Sequence, residues 1–325
     1  MRKWLMIIVF CLFAGLIAET FMTASTAPVD FLLHPFIPPF NVLFYGTFDL
    51  LAREILVRRR AGLASILLLG AAYGFVNEGV AAGTWYVIHP PGYIFIGRVD
   101  WTWALSLTIF HTIFSVITPI VFIEMLFPSI SGKSLLHRQG IVICVILFFG
   151  CVFCAILVLA PLPLFILPYR MTVLAVAVLF SLVALALPAR HSPTPASSRR
   201  LPGVWRLRIA GFLAVFAYFA LTMLFPVVVA ALLQPRPGGL IIAQGIDCAA
   251  FLAFFSLVIW RGWTWSRRAG WSPRQNLALL LGSVTFTTLL LNLTEAPMGE
   301  VFSTLPFYAL LIALTLRWRR RAKAA

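Results

Sequence analysis

Residues 140–160 read GIVICVILFFGCVFCAILVLA, twenty-one positions without a single charged side chain. A helix rises ~1.5 Å per residue, so this run is about 30 Å long, the thickness of the hydrocarbon core of a bilayer. The whole chain has the same character, because 62% of its 325 residues are hydrophobic and only 11% are charged. Soluble domains carry roughly a quarter charged residues. This composition excludes a cytosolic enzyme, a secreted disulfide scaffold and a coiled coil, and it predicts a membrane protein.

Nine other stretches are long and apolar enough to be read in the same way. The sequence therefore predicts an all-α fold, a polytopic transmembrane helical bundle of about ten spans that forms a single integral membrane domain over residues 1–325. The predicted spans are residues 4–21, 39–57, 61–83, 101–125, 140–160, 163–187, 207–233, 240–260, 275–293 and 301–316. Residues 188–206, which are rich in Pro, Ser and Arg, are predicted to be a linker loop on the cytoplasmic side.

The distribution of Lys and Arg predicts the orientation of the bundle. If the N-terminus lies inside and the spans alternate, 22 of the 25 basic residues fall on the inner side, and only Arg98, Arg170 and Arg236 do not. Basic loops stay on the cytoplasmic side, so both termini are predicted to be cytoplasmic in a multi-pass protein of the cell (inner) membrane. The net charge of +15 then indicates anionic lipid head groups as partners beside the bilayer itself, and no nucleic acid.

The first predicted span allows two interpretations. Arg2 and Lys3 precede an apolar run that ends near Phe21, and small residues follow that run, as in a cleavable signal peptide. Pro28 is a poor residue after a cleavage point, and it favours an uncleaved anchor. The sequence leaves the choice between the two open.

Four polar residues lie at depths where hydrocarbon penalises them. Glu78 and Asn77 are on the third predicted span, His111 is on the fourth and Asp247 is on the eighth. An ionisable group in mid-membrane costs ~2.5–3.5 kcal/mol, so it calls for a partner or a function. We expect these residues to line one outward-facing acidic cavity, which would attract cations or, with the histidine, hold a metal. If they face different directions, they form no common site.

The second predicted span carries two further pairs of opposite charge. Asp49 and Arg53 are four residues apart, and so are Glu54 and Arg58. Residues at this spacing share a helix face, so ion pairs between them are expected. One interpretation is that these pairs only allow the helix to insert; the other is that they line a wet cavity.

Two of these polar groups carry a resemblance to a known family. The stretch Asn77-Glu78 on one span, followed by His111 on the next, is similar to the motifs of bacterial CAAX-protease-like intramembrane proteins. That family has paired glutamates with a downstream arginine, and a Phe one turn before its histidine. Here Asn77 precedes the single Glu78, no arginine follows in the next turn, and Leu107 stands where the Phe is expected. The resemblance implies an intramembrane hydrolase. The chain also resembles uncharacterised bacterial multi-pass membrane proteins.

Three functions remain open from the sequence. The chain has no P-loop, no G-x-S-x-G and no H-E-x-x-H, so an ATP-hydrolysing pump is excluded and no cofactor is indicated. Its five cysteines all lie in apolar runs and form neither a disulfide framework nor a zinc pattern. A small secondary transporter or permease fits the size and the isolated membrane carboxylate best. An intramembrane enzyme with metal or acid–base chemistry and a non-catalytic scaffold subunit are the alternatives.

Overall fold

A computed structural model describes residues 3–22, 34–86, 98–159, 166–188, 200–234, 236, 238–293, 305 and 308–317. Within these ranges the chain is helical and contains no strand. The structure therefore confirms the predicted all-α helical bundle. Residues 161–162, between the fifth and sixth predicted spans, and most of the 188–206 linker lie outside the described residues.

Among the described residues, ten helices lie at the positions of the ten predicted spans. The first is α1 (Lys3–Gly15), which continues as a π-helical segment over Leu16–Met22. The others are α2 (Ile37–Arg59), α3 (Leu63–Ala81), α4 (Trp101–Leu126), α5 (Arg138–Val158), α6 (Leu167–Ala186), α7 (Val204–Leu233), α8 (Gly239–Ser266), α9 (Pro273–Leu293) and α10 (Tyr308–Arg317).

Within the described part of the chain, six of these helices, α3 to α8, are long and apolar enough to cross a membrane. This number is smaller than the ten crossings that the sequence predicts. At 23 residues helix α2 is about 35 Å long and could span the bilayer. It is not among the six because five charged side chains lie between Asp49 and Arg59. Helix α10 has an apolar composition but only ten described residues, about 15 Å of rise.

The chain divides into two compact units. The first comprises Met1–Gly15, Pro39–Arg190 and Ala220–Ala253, and the second comprises Leu16–Pro38, His191–Phe219 and Phe254–Ala325. In the second unit α7 and α9 pack closely. A side chain at position 211 would collide with the backbone of Leu279, so the packing depends on the glycine there. All the polar residues discussed below belong to the first unit.

In the first unit, small residues bring α3 against α4. A Cβ atom on Gly70 would lie 2.8 Å from the Cα of Thr112, and one on Gly74 would lie 2.9 Å from the Cα of Thr108. Both distances are shorter than real Cβ contacts allow, so only glycine permits this approach. The two backbones are therefore close enough for polar side chains on α3 and α4 to reach each other.

Both helices change winding at the same level. Helix α3 becomes π-helical over Phe75–Ala81, and α4 does so over His111–Ile117. The second segment ends just before Pro119, which has no N–H to donate to a preceding carbonyl. A π segment shifts the side chains that follow it around the helix axis and is frequent at functional sites. Glu78 lies inside the first segment, and His111 begins the second.

Candidate functional site

Glu78 and His111 form a hydrogen-bonded pair between α3 and α4. Oε1 of Glu78 lies 2.7 Å from Nε2 of His111. The His111 side chain is 5% exposed and that of Glu78 is 13% exposed. A carboxylate beside an imidazole in such surroundings can share, accept or release a proton, because each group compensates the charge of the other.

The pair belongs to a longer chain of hydrogen bonds. At one end the Thr84 hydroxyl donates to Oε2 of Glu78 over 2.5 Å. At the other end Nδ1 of His111 lies 2.8 Å from the Ser115 hydroxyl, one turn further along α4. Four side chains from Thr84 to Ser115 are thus connected without a break. Both imidazole nitrogens have a hydrogen-bond partner, so a proton taken up at one nitrogen can be released at the other.

Asn77 and Tyr45 complete the surroundings of the pair. The Asn77 amide nitrogen is 3.4 Å from both ring nitrogens of His111 and donates to the Tyr45 hydroxyl over 3.1 Å. The His111 ring also packs among aromatic rings, with centroid distances of 6.3 Å to Tyr45, 5.7 Å to Tyr73 and 5.4 Å to Phe110. These rings surround the polar groups with apolar surface, which strengthens their electrostatic interactions.

Asp247 lies apart from this group. It is on α8 and 1% exposed, but no hydrogen bond joins it to Glu78 or His111 within the described part of the chain. It interacts electrostatically with Asp100 instead, the residue that precedes α4. Of the four residues expected to share a cavity, the structure brings together Glu78, Asn77 and His111 only.

Asp100 caps the N-terminus of α4. Its Oδ1 accepts a hydrogen bond of 2.9 Å from the backbone N–H of Trp103, and the residue is fully buried. Burial raises the pKa of Asp100 to about 7, although backbone hydrogen bonds from Trp103 and Thr102 act in the opposite direction. The neighbouring carboxylate of Asp247 raises the pKa further.

One of the two ion pairs expected on α2 is present, and the other is not. Glu54 and Arg58 form an ion pair of 2.8 Å. Arg53, however, contacts Glu124 of α4 at 3.0 Å, and both carboxylate oxygens of Asp49 lack a hydrogen-bond partner among the described residues. The expected Asp49–Arg53 pair is therefore absent there. Arg53 points away from Asp49 because the Glu124 carboxylate and two backbone carbonyls beyond the end of α4 accept its hydrogen bonds.

These carbonyls belong to the connection between α4 and α5. Arg53 donates to the carbonyl oxygens of Ile130, at 2.6 Å, and Lys133, at 3.0 Å. Oε1 of Glu54 accepts from the backbone N–H groups of Leu135, at 2.5 Å, and Leu136, at 3.1 Å. We call this set, with Glu124, Arg58 and Ser134, the α2 clasp. It satisfies buried charges with backbone groups and so holds the α4–α5 connection on α2.

The described residues contain no group of three or more His, Cys, Asp or Glu side chains placed to hold a metal ion. The expected metal ligands, with His111 among them, are therefore not assembled there. The chemistry that the Glu78–His111 pair offers by itself is proton transfer.

Comparison with known families decides the class of protein. The model of an uncharacterized membrane protein family matches residues 7–322. The chain belongs to this family. No curated protein and no solved structure matches it significantly.

Membership of the family, together with the six apolar helices, makes the chain a multi-pass membrane protein whose environment is the lipid bilayer. The match supports the predicted resemblance to uncharacterised membrane proteins. It lends no support to a resemblance to CAAX-protease-like proteins, which the altered motifs around Glu78 and His111 had suggested. Within the family, the site must therefore be judged by its geometry.

Several contributors to this geometry were not predicted from the sequence. Thr84 follows the third span, and Tyr45 is one of many aromatic residues in the chain. Glu124 ends the fourth span and lies 71 residues from Arg53. A signal was available for Tyr45 alone, because it lies four residues before Asp49 and so shares a helix face with it.

Proposed function

We propose that this protein is a proton-coupled secondary transporter in which Glu78 and His111 bind the transported proton. The observation that carries the proposal is the 2.7 Å contact between Oε1 of Glu78 and Nε2 of His111, which joins the π-helical segments of α3 and α4. Ionisable groups within membrane spans most often belong to ion pathways and proton relays. The hydrogen-bonded chain from Thr84 to Ser115 supports a route to and from the pair.

The orientation of the chain is part of the proposal. The protein lies in the cell (inner) membrane with its basic segments on the cytoplasmic side. The Thr84 end of the site then faces outward and the α2 clasp faces inward. Anionic lipid head groups then bind the arginine-rich inner side. Glu78, Asn77 and His111 form the outward-facing acidic cavity, and Asp247 is not part of it.

The test uses purified protein in liposomes loaded with a pH-sensitive dye. Amino acids, sugars, carboxylates and inorganic cations are added singly, and the pH change inside is recorded. We expect one class of solute to drive proton movement in the wild type, and Glu78→Gln to reduce it roughly tenfold or more. Asp247→Asn, a matched change of another buried carboxylate, should retain it. Wild-type protein that moves no proton with any solute, or Glu78→Gln at the wild-type rate, would contradict the proposal.

A second function is favoured by one specific contact. Ser115 Oγ lies 2.8 Å from Nδ1 of His111, whose Nε2 meets Glu78. A hydroxyl, an imidazole and a carboxylate in this order are the parts of a serine hydrolase triad. Ser115 is fully buried, so a substrate would require an open state. Covalent labelling by a fluorophosphonate that is lost in Ser115→Ala would favour the hydrolase. A lack of labelling alongside solute-driven proton movement would favour the transporter.

A further inference from the structure

One face of α2 carries a continuous series of buried polar side chains. Asn41, Tyr45, Asp49 and Arg53 follow one another at intervals of four residues, so they lie along the same side of the helix. Asn41 is 7% exposed, Tyr45 2%, Asp49 0% and Arg53 1%. Neighbouring helices cover this face, which explains how so polar a helix can lie within the unit.

Two members of the series, Tyr45 and Arg53, are connected to the features already described. Tyr45 accepts a hydrogen bond from Asn77 beside His111. Arg53 belongs to the α2 clasp, through Glu124 and the carbonyls of Ile130 and Lys133. Asp49 lies between them, about 6 Å along the helix axis from each. It is the titratable member of the series between the proton-binding pair and the clasp.

The surroundings of Asp49 determine its charge. Neither carboxylate oxygen has a hydrogen-bond partner among the described residues. The charged side chains that follow on α2, Arg53 and Glu54, are engaged by the clasp. The thiol of Cys11 on α1 interacts electrostatically with Asp49. The thiol of Cys144 on α5 interacts electrostatically with Cys11. No cation faces the carboxyl group within the described residues, so an ionised Asp49 would be an uncompensated buried charge. In this conformation Asp49 therefore holds a proton.

We propose that Asp49 is a second proton-binding site of the transporter, on the path from the Glu78–His111 pair to the α2 clasp. The inference rests on the proposed function and extends it. The proton leaves His111 or Glu78, and a carboxylate oxygen of ionised Asp49 binds it. Neither oxygen of Asp49 has a hydrogen-bond partner among the described residues in this conformation, so the transfer requires the Tyr45 hydroxyl or a water molecule to bridge the gap. On release at the clasp end, Asp49 keeps a negative charge. Arg53, four residues away, neutralises that charge when it exchanges Glu124 for Asp49.

Two states of α2 follow from this exchange. With Arg53 on Glu124, as in the structure, the α4–α5 connection is held and Asp49 keeps its proton. With Arg53 on Asp49, Glu124 and the carbonyls of Ile130 and Lys133 lose their donor, so the clasp loosens while Asp49 is ionised. Proton release is thereby coupled to movement of the α4–α5 connection.

The first test measures the protonation of Asp49 without any transport assay. Infrared spectra of the protein in nanodiscs at neutral pH should contain the C=O stretch of protonated carboxyl groups. We expect Asp49→Asn, which preserves shape, to lose part of this band. Glu124→Gln removes the carboxylate that pairs with Arg53, so Arg53 can turn to Asp49 and this variant should lose part of the same band. A band of wild-type intensity in Asp49→Asn would overturn the inference.

The second test uses the liposome assay, with thermal unfolding as a check that each variant is folded. Asp49→Asn should reduce proton movement roughly tenfold or more, while Asp49→Glu restores part of it. If wild type and Asp247→Asn move protons and Asp49→Asn matches them, this inference fails and the proposed function stands. If the wild type moves none, both fail.

Discussion

Glu78 and His111 are 33 residues apart in the chain, yet Oε1 of the one and Nε2 of the other are in hydrogen-bonding contact at 2.7 Å. Each residue is the hydrogen-bond partner of the other inside the helix bundle. The carboxylate accepts from a ring nitrogen that lipid could not satisfy. The contact depends on the close approach of α3 and α4 and on the π-helical turns in both. Perturbing either partner, or the approach itself, should therefore have measurable consequences.

A double-mutant cycle should detect the energetic coupling of this pair. We expect Glu78→Gln and His111→Asn each to lower the free energy of unfolding by about 1–3 kcal/mol, because each leaves a buried polar partner behind. The double variant should be less destabilised than the sum, with an interaction energy of about 0.5–3 kcal/mol. Denaturation in detergent micelles measures these values. Glu78→Gln combined with Asp247→Asn serves as the control and should be additive; additivity in the main cycle would contradict a direct pair.

Replacing Gly70 should separate the helices that carry the pair. A Cβ atom there would lie 2.8 Å from the Cα of Thr112, so Gly70→Ala must push α3 away from α4. We expect a loss of about 1–3 kcal/mol in stability and a loss of proton movement. In Gly150→Ala the new methyl group meets no described atom within 4 Å, so this control should be neutral or slightly stabilised. Wild-type behaviour of Gly70→Ala would show that the approach is not needed.

The sequence was informative where an isolated residue conflicts with its surroundings. Glu78 and His111 stood out because hydrocarbon penalises an ionisable group that has no partner nearby in the chain, and the helices could be read from uninterrupted apolar length. The ion-pair partner of a buried charged residue could not be predicted from the sequence in this way. Arg53 prefers Glu124, 71 residues away, over Asp49 one turn away, because the fold of the α4–α5 connection adds two carbonyl acceptors. The separate position of Asp247 likewise depends on how α8 packs.

Removal of Arg53 should destabilise the protein strongly. Its guanidinium is 1% exposed and contacts Glu124 together with the carbonyls of Ile130 and Lys133. Arg53→Gln leaves these groups unsatisfied, so we expect a loss of about 3–5 kcal/mol, the cost of breaking a buried ion pair. Thermal unfolding in micelles measures the effect. Arg59→Gln, at an exposed position on the same helix, should change stability little; equal losses in both variants would argue against the clasp.

Asp100 should make stability depend on pH. Its pKa is about 7 in the folded protein against an ordinary 3.8, so the folded state holds a proton that the unfolded state releases. Its contribution is fully present below pH 3.8 and is lost as the pH rises towards 7. Asp100→Asn keeps the helix cap but carries no charge. At pH 8 it should melt roughly 2–4 °C above the wild type, with a smaller difference at pH 4. A constant difference at both pH values would mean that Asp100 does not titrate between folded and unfolded states.

The orientation of α4 can be tested by labelling at its two ends. Arg98 precedes the helix and Lys133 follows it, and both residues are exposed. Single cysteines are introduced at each position in a background without the five native cysteines. If the basic segments are cytoplasmic, an impermeant maleimide should modify Arg98→Cys in intact cells and Lys133→Cys only after lysis. A helix that spans the bilayer has its two ends on opposite sides, so modification of both positions in intact cells would mean that α4 does not cross it. Modification of Lys133→Cys alone would reverse the topology and with it the direction of the proposed proton path.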